Sequence, residues 1–337
     1  MLMPEHAPTL HQIGSSGPQA NAIATAVAAP VERDRGLASL IVELSKPGIV
    51  KMVALSSAVG FVMAALVHPW EAGSLLIAGL GCIIGTALSA AGANALNQVI
   101  EVERDGRMRR TAGRPIPSGR LGEVTAMIAG VLLSVAGLGV LCMVCNPWAS
   151  MVSAVTIATY LFWYTPMKPV TPLATIVGAI PGALPPLIGW AAGSPQAPYA
   201  GLLDPGGWSI FAIMFVWQVP HFLAIAWKYR DDYAAGGYRV LPVVDPSGAS
   251  TARSVVAWSI ALVPISLVAV RVMPERLGPV YMVLAGLAAL VMVVESVRLA
   301  RARTDANARR LFFASIIYLP VVLVGMVIDA VLTAGLS

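Results

Sequence analysis

The sequence predicts an all-α polytopic membrane bundle of nine transmembrane helices around a central cavity. Three observations predict it. Of the 337 residues, 57% are hydrophobic and 12% are charged, whereas a soluble domain carries about 25% charged residues. Mean hydropathy is +0.77. The chain also divides into apolar stretches of the roughly 20 residues a helix needs to cross hydrocarbon, separated by short charged loops. The net charge of +5 then reflects basic cytoplasmic loops facing an anionic lipid bilayer, and nucleic acid is excluded as a partner.

Residues 1–40 are rich in Ala, Pro, Ser and Gly, with Glu5, Glu32 and Asp34 among their charges. They lack the charged start and apolar core of a secretory signal, and the acids argue against a mitochondrial transit peptide. They read as a mobile cytoplasmic tail, which leaves residues 41–337 as the transmembrane domain and favours a bacterial inner membrane.

Spans are expected at about 49–68, 73–96, 122–143, 147–165, 173–193, 208–228, 253–271, 279–298 and 311–332. Asn146-Pro147 sets a tight turn between the third and fourth. The fifth contains Pro181, Pro185 and Pro186, which kink a helix and shape a cavity. One set of loops holds nearly all the arginines and lysines, from Arg104–Arg120 through Lys168 and Lys228–Arg253 to Arg298–Arg310, and the opposite set holds Arg271 and Arg276. This bias places the basic set and the N-terminus in the cytoplasm, and nine spans put the C-terminus on the other side. The three cysteines, Cys82, Cys142 and Cys145, lack the second pair or nearby histidine of a metal site and read as small apolar filler. No period of 20–50 residues repeats.

The second span ends in Asn97, Glu101 and Asp105, each four residues apart, followed by a basic run reaching Arg114. On a helix this spacing puts all three side chains on one face, with Asn94 one turn earlier. Oxygen ligands beside arginines suit a divalent cation and an anion that it bridges, such as a diphosphate; a solvated helix end is the alternative. The sixth span ends similarly, in Lys228, Arg230, Asp231 and Asp232, with Arg239 beyond. Two such ends on one side suggest two half-bundles, each offering one acidic motif to a shared cavity. His221 lies inside the sixth span, where an ionisable residue is a functional candidate by default. Lys168 and Lys46 stand on the same side within reach of a phosphate, and Lys46 also suits an interfacial anchor. Trp163, Trp190, Trp217 and Trp227 are packing aromatics that would also stabilise a carbocation at their ring faces.

Several segments resemble the UbiA-type intramembrane prenyltransferase superfamily and, within it, the protohaem IX farnesyltransferases, or haem O synthases. They are Arg114-Pro-Ile-Pro-Ser-Gly-Arg120, the Pro-Gly-Ala-Leu-Pro-Pro-Leu-Ile-Gly-Trp run ending at Trp190, Trp217-Gln-Val-Pro-His221-Phe, and the Asp-Asp-Tyr and Leu-Pro-Val-Val stretches. The likeness runs from about Lys46 to Asp329. It departs at Glu101, where the usual motif has aspartate, and at Pro169, where a basic pair is common. The resemblance implies farnesyl transfer from farnesyl diphosphate to a vinyl group of haem b. Mg²⁺ would be held by Asn97, Glu101, Asp105, Asp231 and Asp232. Lys46, Arg114, Lys168, Lys228 and Arg239 would neutralise the diphosphate, His221 would contact haem, and a haem A synthase would use the product. A quinone-ring or chlorophyll-type acceptor is the nearest rival, and the His221 segment argues against it. A carrier of an anionic ligand would need polar groups reachable from both faces, whereas these crowd one side.

Overall fold

The computed structural model describes residues 36–195 and 198–336; the expected tail lies outside the described residues as far as position 35. Among the described residues every regular element is helical. The elements are α1 (Leu37–Leu44), α2 (Pro47–Ala65), α3 (Ala72–Ile100), α4 (Val102–Arg107), α5 (Glu123–Val140), α6 (Pro147–Ala158), α7 (Thr165–Met167), α8 (Ala174–Ala183), α9 (Pro185–Ala192), α10 (Pro198–Leu203), α11 (Pro205–Lys228), α12 (Arg230–Ala235), α13 (Leu241–Val244), α14 (Ala249–Val272), α15 (Pro279–Arg301) and α16 (Asp305–Leu336). Helix α1 starts inside the stretch expected to be tail.

Among the described residues eight helical stretches are long and apolar enough to cross a membrane, so this is an integral membrane protein. The expected fourth span is also helical: α6 runs through a π turn, Thr159–Tyr164, into α7. It carries the polar residues Ser153, Thr156, Tyr160 and Tyr164, all four of which line an internal cavity. The expected fifth span is two helices, α8 and α9, broken between Pro181 and Pro185, as proline's missing N–H and ring clash require.

Burial follows the logic of a lipid-embedded bundle. In α15 the exposed residues Val280, Val283, Leu287, Leu290 and Val294 form one apolar stripe, while Tyr281, Ala285, Ala289, Met292 and Ser296 are buried. Apolar residues thus cover both faces, as expected where the solvent is hydrocarbon. The α8–α9 stretch and α11 are the most interior, with 72% and 67% of their apolar windows buried against 22% for the α5 stretch. Helix α16 packs on both α2 and α11, and α8 packs on α11.

Small residues let the helices approach closely. A Cβ on Gly189 would lie 1.8 Å from the Ser57 carbonyl oxygen, fixing the α2–α9 crossing, and one on Gly92 would lie 2.3 Å from Ser134 Oγ in α5. Polar anchors also have named tasks. Asn146 Oδ1 accepts from Ala149 N at 3.0 Å to cap α6, and its Nδ2 donates to the Ala191 carbonyl at 2.9 Å. The buried Asp329 accepts from the Gly278 and Tyr281 amides at 2.6 and 3.0 Å, closing free N–H groups at the start of α15.

Candidate active site

The site is built from the elbow between α1 and α2. The Leu44 carbonyl accepts from Gln98 Nε2 at 2.5 Å and the Ser45 carbonyl from Asn94 Nδ2 at 3.1 Å. Both donors come from α3, so the end of the second span grips the elbow. Lys46, at the turn, is the one non-glycine residue with positive φ among the described residues (φ 53°). That left-handed conformation costs energy for an L residue, and here it aims Lys46 Nζ at Asn97 Oδ1, 3.1 Å away. Asn97 Nδ2 donates to Thr165 Oγ1 at 3.1 Å, and Thr165 donates to the Tyr160 carbonyl at 2.8 Å. The Asn97 amide is therefore fixed with its oxygen towards the lysine.

Helix α3 ends at Ile100 and α4 begins at Val102, so Glu101 marks a break. The i→i+4 bonds nevertheless continue across it, Glu101 N to Asn97 O at 3.0 Å and Asp105 N to Glu101 O at 2.8 Å. The three side chains keep the spacing expected of one face. Asn97, Glu101 and Asp105 are only 1%, 5% and 1% exposed, and neither carboxylate is left alone. Lys168 Nζ lies 2.8 and 3.1 Å from the two Glu101 oxygens, and Arg114 pairs with Asp105. Burial alone would raise the Glu101 carboxyl, but the charge and hydrogen bond of Lys168, with Lys46 beyond, hold it below the ordinary carboxylate range. Burial pulls Lys46 down to about 7, helped by the nearby charges of Arg114 and Lys168. A polyanion reaching this corner would restore the full charge on Lys46.

The second acidic end is organised differently. Asp231 is exposed and Asp232 half-buried, and among the described residues neither makes a salt bridge. Lys228 and Arg239 are exposed, with Lys228 Nζ 4.9 Å from the Tyr229 ring centroid. Arg230 turns away to Asp305 at 2.9 Å. The backbone ties this loop to the first motif: Arg239 N donates to the Lys168 carbonyl at 2.9 Å, and Arg104 donates to the Gly236 carbonyl at 3.1 Å. Arg110 lies over the Tyr229 and Tyr233 rings, 5.0 and 5.7 Å from their centroids. The structure thus gathers Lys46, Asn97, Glu101, Asp105, Arg114 and Lys168. It leaves Lys228, Asp231, Asp232 and Arg239 on the adjoining loop with their side chains free of the first motif. Among the described residues no three His, Cys, Asp or Glu side chains converge as a metal cluster.

Below this corner lies a cavity of about 380 Å³, within the range of small-molecule sites. Its wall is largely apolar, with Met52, Ala93, Pro185, Met214 and Leu319, and it begins at Asn94, one turn from Asn97. His221 lines it, as do Tyr160, Tyr164, Trp217 and Gln218. Of the four tryptophans considered as carbocation partners, Trp217 alone is on this wall. Trp163 is 60% exposed, Trp190 lies under Arg276, and Trp227 binds Asp305.

Residue type and spacing missed several participants. Tyr164 lies under Lys168, 4.4 Å from ammonium to ring centroid. Tyr238 is buried beside the Glu101–Lys168 pair, whose carboxylate and ammonium act on its hydroxyl. Thr165 orients Asn97. Only Tyr164 carried a signal, as an aromatic preceding Lys168 by four residues.

Residues 53–317 match the UbiA prenyltransferase family. The chain belongs to that family. A relative from Solibacter usitatus named protoheme IX farnesyltransferase is 45% identical over 298 residues, which cover 86% of this chain and 97% of the relative. The fold matches a UbiA homolog from Aeropyrum pernix (TM-score 0.66, 18% identity, 83% of this chain and 98% of that one). It also matches a UbiA homolog from Archaeoglobus fulgidus bound to GPP and Mg²⁺ (TM-score 0.57, 14% identity, 85% and 99%). Within this UbiA member the neutralised acid pair and the apolar cavity adjoin, as a charged head joined to a long hydrocarbon requires.

Proposed function

We propose that the chain transfers the farnesyl group of farnesyl diphosphate to a vinyl group of haem b, with addition of water, giving haem O and diphosphate. The observation that carries this reading is the 45% identity, across 97% of its length, to a protein named for that reaction. The geometry supports it, because the corner with Lys46, Arg114 and Lys168 adjoins a largely apolar cavity of about 380 Å³, which suits holding a prenyl chain away from water.

Lys46, Arg114 and Lys168 take up the diphosphate oxygens, with Lys228 and Arg239 adding charge from the second loop. Glu101, Asp105 and the Asn97 carbonyl would supply hard oxygen donors of the kind Mg²⁺ takes, with Asp231 and Asp232 adding carboxylates from the second loop. When bound, Mg²⁺ neutralises the leaving diphosphate. The farnesyl C1–O bond breaks, and its electrons leave with the diphosphate. Tyr160, Tyr164 and Trp217 line the space in which the allylic cation lives, with ring faces that stabilise positive charge. The terminal vinyl carbon of haem attacks C1, water captures the cation left beside the porphyrin ring, and a proton is released. His221 contacts the haem. Binding and positioning, rather than acid–base chemistry, supply most of the rate.

The site faces the cytoplasm of a bacterial inner membrane, with the N-terminus on that side and the C-terminus opposite, and a haem A synthase is the consumer of the product. Expression in a strain lacking haem O, followed by mass analysis of extracted haems, tests the reading. Farnesylated haem is expected; its absence despite well-inserted protein would refute it.

A further inference from the structure

His221 is held by more contacts than cavity lining alone requires. Its imidazole is stacked against the Trp217 ring, with centroids 4.9 Å apart and planes 21° apart, and against the Phe312 ring, at 5.4 Å and 24°. Its polar contacts are made at the ring edges, where the two nitrogens lie. One edge is taken: Nδ1 lies 2.7 Å from Ser315 Oγ in α16. Ser315 is itself anchored, because Trp217 Nε1 donates to its carbonyl at 2.8 Å. Trp217 and His221, one turn apart on α11, therefore grip the same residue.

The proton count across this contact has one solution. Ser315 Oγ lies 2.6 Å from the Phe312 carbonyl oxygen. A carbonyl has no proton to give, so the hydroxyl's single proton lies in that bond. Nδ1, against the same oxygen, must then be the donor. We infer that Ser315 is a positioning residue that holds His221 in the Nδ1–H tautomer, leaving the Nε2 lone pair free as an axial ligand for the iron of a bound porphyrin. Among the described residues Nε2 has no hydrogen-bond partner, and His221 forms part of the cavity wall. An imidazole whose far N–H is hydrogen-bonded is the usual oriented, electron-rich metal ligand. Here the acceptor is a neutral hydroxyl, so the ligand stays a neutral imidazole. Ligation at this point fixes the porphyrin against α11 and α16 and limits which of its edges can face the prenyl carbon.

The inference rests on haem as the acceptor, and the test separates the two. Purified protein in nanodiscs is loaded with ferrous haem b and the iron–histidine stretching band is read by resonance Raman. Binding of a non-reacting farnesyl thiodiphosphate marks folded variants. The wild type is expected to show the band, His221→Ala to lose it, and added imidazole to restore a ligated spectrum. Ser315→Ala is expected to keep a band at lower frequency and to lose about tenfold in haem affinity, the scale of losing a partner behind a metal ligand; Ser315→Thr should return both. An unchanged band in His221→Ala, or wild-type frequency in Ser315→Ala, would overturn the inference while leaving the acceptor intact. A folded wild type that binds no haem would overturn the acceptor reading itself.

Discussion

The two acid-bearing helix ends carry similar residues in opposite states. At the end of α3, Glu101 and Asp105 are 5% and 1% exposed and each is paired with a cation. On α12, Asp231 is exposed, Asp232 is half-buried, and neither has an ion pair among the described residues. The difference follows from the cost of burying charge. A carboxylate taken out of water must be matched by a cation and hydrogen bonds, so the first motif is assembled as the chain folds. A carboxylate left at the surface needs no partner and is available to a ligand that arrives later. Lys168 and Arg114 hold the acids in the resting protein, and under the proposed function the same two cations would meet the phosphate oxygens of a diphosphate.

Variants at the two ends sharpen that contrast. The largest effect is expected for Asp105→Ala, which should lower turnover by about 10²–10³-fold, the scale of removing one charge-stabilising group from a reacting centre. It should also lower the thermal midpoint, because Arg114 loses its partner. Asp232→Ala should cut turnover on a similar scale with an unchanged midpoint; a matching loss of stability would break the distinction between the ends. Next, Lys168→Met should destabilise the protein by about 3 kcal/mol by stranding a buried Glu101 charge. Adding Glu101→Gln should recover most of that stability without recovering turnover, as denaturation and rate measurements on the four proteins of the cycle would read. The smallest effect is expected for Glu101→Asp, which keeps the charge one methylene back and should retain activity. Complete loss would mean that the Lys168 pairing is adapted to the longer acid.

What the sequence made legible and what it concealed divide along the same line. The four-residue spacing of Asn97, Glu101 and Asp105 survived a helix break because the backbone bonds continue through it. Lys46, Arg114 and Lys168 were marked as cations near acids at a membrane boundary, each with a plainer reading available, and the structure brings all three to the first motif. The left-handed turn at Lys46 was not, since nothing in Lys-Pro-Gly specifies that Gln98 and Asn94 will seize the two preceding carbonyls. Nor was the choice among tryptophans: in an apolar helix one facing lipid, core or cavity looks alike, and only tertiary packing put Trp217 on the wall. Ser153, Thr156, Tyr160 and Tyr164 lower the apolarity of the fourth span and all line the cavity, so the feature that weakens it as a span marks its place in the site. Ser315 stood in a late Ser-Ile-Ile-Tyr-Leu stretch that resembles the family, but its role was concealed because it depends on a histidine 94 residues earlier.

The most direct measurement is transfer by the purified protein in nanodiscs supplied with haem b and farnesyl diphosphate, with extracted haems read by mass spectrometry. The account expects haem carrying an added farnesyl and hydroxyl, lost when divalent metal is chelated and regained when Mg²⁺ is returned. Folded protein that yields no such haem, or the same yield with the metal chelated, would contradict it.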